Sequence, residues 1–330
     1  MDLPPLRRCA FLIDGSRHES GDFIAINGTA YCSALLTPRA VLYKINRSGK
    51  GSQGPRGVRM KLKEIPYVLG LRPGPRSYPY KLRSFELPKD GTVSYAQWLH
   101  PRETKKQISQ ESVEELRKFL SPGDVAIDIG AHTGDSTVPV ALAVGPAGCV
   151  LALEPNPYVF SVLKKNAELN PTKSKIIPLL FAAAAEDAEL EFRYSDRGFC
   201  NGGQFAGISR WVHGHAFTLT VQGKNLQEFL KENYFEMIPR IRYIKMDTEG
   251  NDLTVVQSLS TLISQYKPFL RMEVYGRLDN SQRRELFRSV ARHGYIVYRI
   301  ADEGNYRGEL LTEQNLQRWR HFDIFCVPAP

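Results

Sequence analysis

The residues best able to do chemistry gather at four points, and at each a carboxylate ends an apolar run. Asp128 precedes the loop Gly130-Ala131-His132-Thr133-Gly134, Glu154 precedes Pro155-Asn156, Asp247 and Glu249 flank Thr248 ahead of Gly250, and Glu273 closes the fourth run. Such carboxylates could deprotonate a hydroxyl, accept hydrogen bonds from a ribose or hold a hard cation such as Mg²⁺. They would repel a phosphate. The glycine spacing agrees, because a dinucleotide fold wants G-x-G-x-x-G and this loop is G-x-x-x-G with Asp128 beside it. S-adenosylmethionine fits the charges better: it has no phosphate, its sulfonium and ammonium attract carboxylates, and its own carboxylate suits a helix N-terminus. Glu154, twenty residues past Gly134, then stands where the acid of a second strand accepts both ribose hydroxyls.

Methyl transfer from a sulfonium is an in-line displacement, and an alcohol acceptor needs a base to take its proton. Asp247 and Glu249 are the first catalytic candidates, one orienting the hydroxyl and the other accepting its proton. The same pair could instead cap a helix beginning near Asn251. Asp247, Glu249, Asp252 and Glu273 offer hard ligands for Mg²⁺, but nothing in their spacing demands an ion, and no metal is expected. Residues 194–217 are too long for a plain connection and mix Asp196, Asn201, Gln204, His213 and His215 with Phe199, Phe205 and Trp211, as a pocket for a sugar or polar ring would. His215 joins the catalytic candidates as a base, against the plainer reading of a surface or core histidine. His132 reads as a residue of the donor loop that shapes it, and Cys200, with no visible activating partner, reads as inert.

These residues need elements to position them, and the pattern from residue 109 onward supplies strands and helices in alternation. Strands are expected at 125–129, 149–154, 175–181, 241–247, 268–275, 295–300 and 322–327. Helices are expected at 112–120, 135–144, 157–169, 224–233, 251–265 and 280–293. This is an α/β chain, a mostly parallel sheet with helices on both faces, and ligands bind such sheets beyond the carboxyl ends of the strands. Asn166 and Asn170 read as polar positions closing a helix before Pro171. Residues 1–108 read differently, as a small β-rich accessory module with a hairpin turning at Pro88-Lys89-Asp90-Gly91.

Charge divides at about the same place. Of a net +9, residues 1–110 hold 19 Lys and Arg against 8 Asp and Glu, a net +11, leaving 25 against 27 for the rest. Lys44 to Arg83 carries eleven basic residues and one acid, Glu64, a stretch that could follow a polyanion or be plain solvated surface. At 330 residues and 42% hydrophobic, the chain can bury a large core. Its apolar runs fall short of the roughly 20 residues of a membrane span, and its first residues lack a secretory h-region. The five cysteines are scattered and form no C-x-x-C pair. A cytoplasmic location is expected.

"DVAIDIGAHTGDST", "VLALEPNPYVFSVLKKNAELN", "IKMDTEGND" and "KPFLRMEV" resemble, in order, the blocks of the FkbM family of class I S-adenosylmethionine-dependent methyltransferases, over about residues 108 to 328. The resemblance implies a Rossmann-like seven-stranded sheet with its last strand antiparallel, and methyl transfer to a hydroxyl oxygen of a sugar, glycan or secondary-metabolite alcohol. By matching motif it implies a donor held by Asp128, Gly130, Gly134 and Glu154, with Asn156 close by and Ala182 to Asp187, Ala183 among them, along the adenine. The family often reads Gly-Ala-Glu after its Asp-x-Glu; this chain reads Gly250-Asn251-Asp252, which puts the role of a third acid in question. Two other readings stand beside this one. One is a nucleic-acid methyltransferase gripping the phosphate backbone through the basic N-terminal stretch, and the other is a donor-binding subunit without catalysis.

Overall fold

The computed structural model describes residues 74–200 and 217–330, the pair Gly202–Gly203, and four short strands nearer the N-terminus. Those four are β1 (Phe11–Ile13), β2 (Ser16–His18), β3 (Asp22–Ile26) and β4 (Thr29–Ser33), paired as two antiparallel ribbons within a unit spanning Met1–Val58. His215, with Asn201, Gln204, Phe205, Trp211 and His213, lies outside the described residues, as does most of the basic stretch 44–83.

The second unit spans Arg59–Pro330. It opens with a hairpin, β5 (Tyr80–Leu87) and β6 (Gly91–Trp98), closed at Pro88-Lys89-Asp90 with Gly91 at a positive φ of 66° that favours glycine. The hairpin that the sequence grouped with the N-terminal module thus shares a unit with the large sheet. Helix α1 (Gln110–Arg117) follows, its N-terminus capped by the Ser109 side chain, which accepts from the Ser112 N–H.

The large sheet then builds through β7 (Val125–Ile129), α2 (Thr137–Val144), β8 (Cys149–Leu153), α3 (Pro157–Glu168) and β9 (Ile176–Leu179). A smaller sheet interrupts it: β10 (Ala182–Ala184), β11 (Ala188–Tyr194), β12 (Gly202–Gly203) and β13 (Phe217–Asn225). The chain returns through α4 (Leu226–Asn233), β14 (Ile241–Met246), α5 (Asp252–Ser258), α6 (Ser260–Tyr266), β15 (Phe269–Val274), α7 (Asn280–Ala291), β16 (Tyr295–Arg299), β17 (Glu309–Leu310) and β18 (Phe322–Pro328). The strand order is β17-β16-β18-β15-β14-β7-β8-β9. β18 runs antiparallel to both neighbours, whereas β9, β8, β7, β14 and β15 are parallel. This is the expected seven-stranded sheet with its last strand antiparallel, and two-residue β17 is added at one edge.

Period-two alternation explains why both faces are covered. Val125, Ile127 and Ile129 join Leu151 and Leu153 in one buried cluster with residues of α4 to α7, while Ala126, Val150 and Ala152 face a second with residues of α1 and α2. Helix α2 is buried along its whole length, as an all-round apolar helix must be. Two expectations need correction. The single helix at 251–265 is two, turning at the fully buried Leu259, where Ser258 Oγ donates back to Val255 O at 2.9 Å and competes with the helix ladder. The span after β9, read as irregular, contains the β11–β13 pair, in which Leu190, Phe192 and Tyr194 stand opposite Val221, Leu219 and Phe217.

Candidate active site

Where β7 and β14 end, the chain leaves no room for a side chain at Gly130. Its φ is 79°, and a Cβ there would sit 2.1 Å from the Asp247 carbonyl oxygen. The Asp247 N–H continues the ladder by donating to Ile129 O at 3.0 Å. The glycine therefore brings the first loop and the Asp247–Gly250 loop together above the sheet. Between them opens a cavity of about 570 Å³, within the range of small-molecule sites.

Gly130, His132, Glu154, Asn156, Ala183, Asp247 and Glu249 all line this cavity. Glu154 is buried, and its carboxylate accepts the His132 N–H at 2.9 Å on Oε2 and the Asn156 N–H at 2.8 Å on Oε1. Burial raises its pKa. Each oxygen keeps a second lone pair, so the group can take two hydroxyls at once, which fits the ribose of S-adenosylmethionine. Asn156 has both polar side-chain atoms in use: Oδ1 accepts the Tyr158 N–H at the start of α3, and Nδ2 donates to Phe199 O at 2.7 Å.

Two residues of the expected donor set do not line the cavity. Asp128 is sealed, 1% exposed, with Oδ2 accepting from Ser136 Oγ at 2.8 Å and Thr137 Oγ1 at 2.7 Å. Its other oxygen lies 3.3 Å from Lys245 Nζ, because the β7–β14 register sets Lys245 directly opposite. Asp128 thus pins the start of α2 to the centre of the sheet. Gly134, φ 91°, packs against α3, where a Cβ would meet Leu163 at 3.0 Å.

Where β14 ends, Asp247 has 44% of its side chain exposed and lies 3.3 Å from Lys245 Nζ. Glu249 adopts a φ of 56°, a left-handed conformation that costs an L-residue roughly 1–2 kcal/mol. Its pKa is raised by burial and then by the like charge of Asp247. Asp252 turns away: it is 1% exposed at the start of α5, where its Oδ2 accepts from Thr248 Oγ1 at 2.9 Å, and burial pushes its pKa up to about 7. The third acid fastens the loop that presents Asp247 and Glu249. Glu273, 3.2 Å from His321 Nε2, is pushed up to about 9 by burial and the neighbouring acids.

Sequence reasoning missed three features here. Lys245 stands two residues before Asp247 on the same strand face, and that spacing could have found it. Asn166 and Asn170 do more than close a helix: Asn166 is fully buried, accepts the Ala96 N–H at 2.6 Å and donates to Ala96 O at 3.1 Å and Thr133 O at 2.7 Å. Asn170 pairs in the same way with both backbone groups of Ser94, at 2.8 and 2.9 Å. Together they join the edge of β6 to α3 and to the donor loop. Cys200, read as partnerless, lies 3.7 Å from Glu103 Oε2, and burial pushes its thiol up to about 12.

The Methyltransferase FkbM domain matches residues 128–297, more than half of the 330. Over 100 residues the chain is 30% identical to the probable cobalt-precorrin-6B C(15)-methyltransferase (decarboxylating) of Saccharolobus solfataricus, a match covering 30% of this chain and 49% of that protein. The chain therefore spans about half the length of the curated relative it matches. Among solved structures it is similar to methyltransferase FkbM of Methylobacillus flagellatus KT, with 15% identity, 62% of this chain and 44% of that one covered, and a TM-score of 0.39. It is also similar to precorrin-6y C5,15-methyltransferase of Geobacter metallireducens GS-15, with 12% identity, coverage of 70% and 95%, and a TM-score of 0.38. The chain belongs to the FkbM methyltransferase family, whose methyl donor is S-adenosylmethionine.

Proposed function

We propose that the protein is an O-methyltransferase that moves a methyl group to a hydroxyl of a sugar, glycan or secondary-metabolite acceptor. The observation that carries this reading is that one cavity is lined by Glu154 and by Asp247 and Glu249. S-adenosylmethionine supplies an electrophilic methyl on a sulfonium. Glu154 accepts the ribose hydroxyls, with Gly130, His132, Asn156 and Ala183 forming the walls on that side. Asp128 and Gly134 act through the loop, by holding α2 and α3 in place. Asp247 orients the acceptor hydroxyl, and Glu249, whose raised pKa suits a general base, takes the proton. Lys245, 3.3 Å from both Asp128 and Asp247, fixes the direction of the Asp247 carboxylate.

A cytoplasmic location belongs to the same reading and draws on the free thiols of Cys149, Cys200 and Cys326. Among the described residues no helix is long and apolar enough to cross a membrane. Incubation with methyl-labelled donor and a panel of sugar alcohols, glycans, catechols and RNA tests the proposal. Label in an alkali-stable ether of a hydroxyl compound is expected; label in RNA bases alone would sink it.

A further inference from the structure

Beside the donor loop three side chains converge whose side-chain groups no step above employs. Glu103, His132 and Cys200 each offer one ligand atom, and these atoms all lie within 4.8 Å of one another, the only such group of His, Cys, Asp and Glu among the described residues. Cys200 Sγ is 3.7 Å and His132 Nε2 is 3.9 Å from Glu103 Oε2. Ligand atoms around a tetrahedral ion bonded at 2.0–2.3 Å stand roughly 3.3–3.8 Å apart. Two edges of the triangle are thus nearly at that spacing, and the third needs a contraction of at most about 1.5 Å.

One of the polar atoms also lacks a partner. His132 Nε2 is buried without a hydrogen bond, costly for a group of this kind, whereas Glu103 Oε1 has the Lys106 ammonium beside it. Lys106 Nζ, 3.3 Å from Glu103 Oε1, is also 2.9 Å from Asp135 Oδ2, so it keeps a counter-charge if Glu103 takes an ion. The thiol is held where it is by design of the turn before it: Asp196 Oδ1 accepts the Gly198 N–H at 2.9 Å and His100 Nε2 lies 2.9 Å away, while Asn156 holds the Phe199 carbonyl. His132 itself sits at a φ of 50°, and its ring makes a T-shaped contact with Trp98, 5.9 Å between centroids.

We propose that Glu103, His132 and Cys200 bind a divalent transition-metal ion of the zinc class. A nitrogen, a thiolate sulfur and a carboxylate oxygen are zinc's ligand types, and three protein ligands leave a fourth position open. All three residues line the cavity described above, so that position faces it. On binding, the Cys200 thiol loses its proton to solvent and becomes a thiolate. The sequence reading weighed only Asp247, Glu249, Asp252 and Glu273 as ligands and expected no metal; positions 103, 132 and 200 carry no motif spacing. Only the further role, seating an oxygen or sulfur atom of the acceptor, rests on the proposed methyl transfer.

The test uses the full chain, stripped of metal, loaded with zinc sulfate, desalted and assayed for zinc by mass spectrometry. About one zinc per chain is expected, with at least a tenfold loss in Cys200→Ser and in Glu103→Gln. Cobalt(II) in place of zinc should give a thiolate-to-metal charge-transfer band in the near ultraviolet, absent from Cys200→Ser. Less than about a tenth of an equivalent of zinc in the unaltered protein, or the same cobalt spectrum in Cys200→Ser, would overturn the proposal. S-adenosylhomocysteine binding measured on the metal-free protein separates the two readings: binding retained without zinc retention overturns the metal site alone.

Discussion

At the residue scale, three acids near one loop have been given different work by their surroundings. Asp247 is open to the cavity and paired with Lys245, Glu249 is half-buried in a left-handed conformation, and Asp252 is sealed against Thr248. If Glu249 is the base, it must be ionised to act, so activity should fall as pH drops through its raised pKa. The acid limb of the rate profile is expected above the ordinary glutamate value and should vanish in Glu249→Gln, with turnover reduced about 10²–10⁴-fold. An unchanged limb in that variant would remove Glu249 from the role. Glu249→Gly separates backbone from chemistry: it relieves roughly 1 kcal/mol of left-handed strain, so its urea midpoint should rise while turnover falls. Asp252 makes a stability prediction of the opposite kind. Burial lifts its pKa to about 7 from the ordinary aspartate value of 3.8, so the folded state holds the proton more tightly and stability declines as pH rises between those values. The loss is on the order of 4 kcal/mol at most. Asp252→Asn should therefore gain on the unaltered protein as pH rises from 4 to 8, and a constant gap in urea midpoint across that range would contradict the assignment.

At the element scale, the donor loop is held from three sides. Asp128 ties it to α2, Glu154 accepts its His132 N–H, and Asn166 links its Thr133 carbonyl to β6 and α3. Tyr95 of β6 adds a hydroxyl contact to Thr133 Oγ1 at 2.7 Å. Asn166→Ala would strand the Ala96 N–H and two carbonyls in the interior, for a cost of about 2–4 kcal/mol, and should weaken donor binding as the loop loosens. Equal affinity and equal thermal midpoint would refute this bracing. Here the limits of sequence reading have a physical cause. Alternating and continuous apolar runs made β7, β8, β14 and β15 legible, and with them the strand-end positions of Glu154, Asp247 and Glu249. The hydrogen bonds of Asn166 reach across 70 residues to Ala96, and no local pattern announces a contact of that length. Asp128 was legible as an acid beside the loop, but its direction was set by Lys245 across the β7–β14 register, which only the folded sheet reveals. The β11–β13 pair did carry its signal, in the alternation of Leu190, Phe192 and Tyr194, and was passed over because the connecting residues looked irregular.

At the scale of the whole molecule, the order β9-β8-β7-β14-β15 places the ends of five parallel strands along one side, and the cavity opens there. Every described residue lining it falls within Arg59–Pro330. We propose that this second unit holds the donor by itself. A chain beginning at residue 59 should then bind S-adenosylhomocysteine within about twofold of the full protein, and a failure to bind would assign the N-terminal part a role in the donor site. The central claim is that one cavity holds the donor through Glu154 and presents the reacting end to Asp247 and Glu249. Calorimetric titration of the full chain with S-adenosylhomocysteine, beside the Glu154→Gln variant and with NAD as control ligand, tests it most directly. The expected result is one micromolar site, at least about tenfold weaker in Glu154→Gln, and no heat from NAD. Undiminished binding by Glu154→Gln, or binding of NAD in place of S-adenosylhomocysteine, would contradict it.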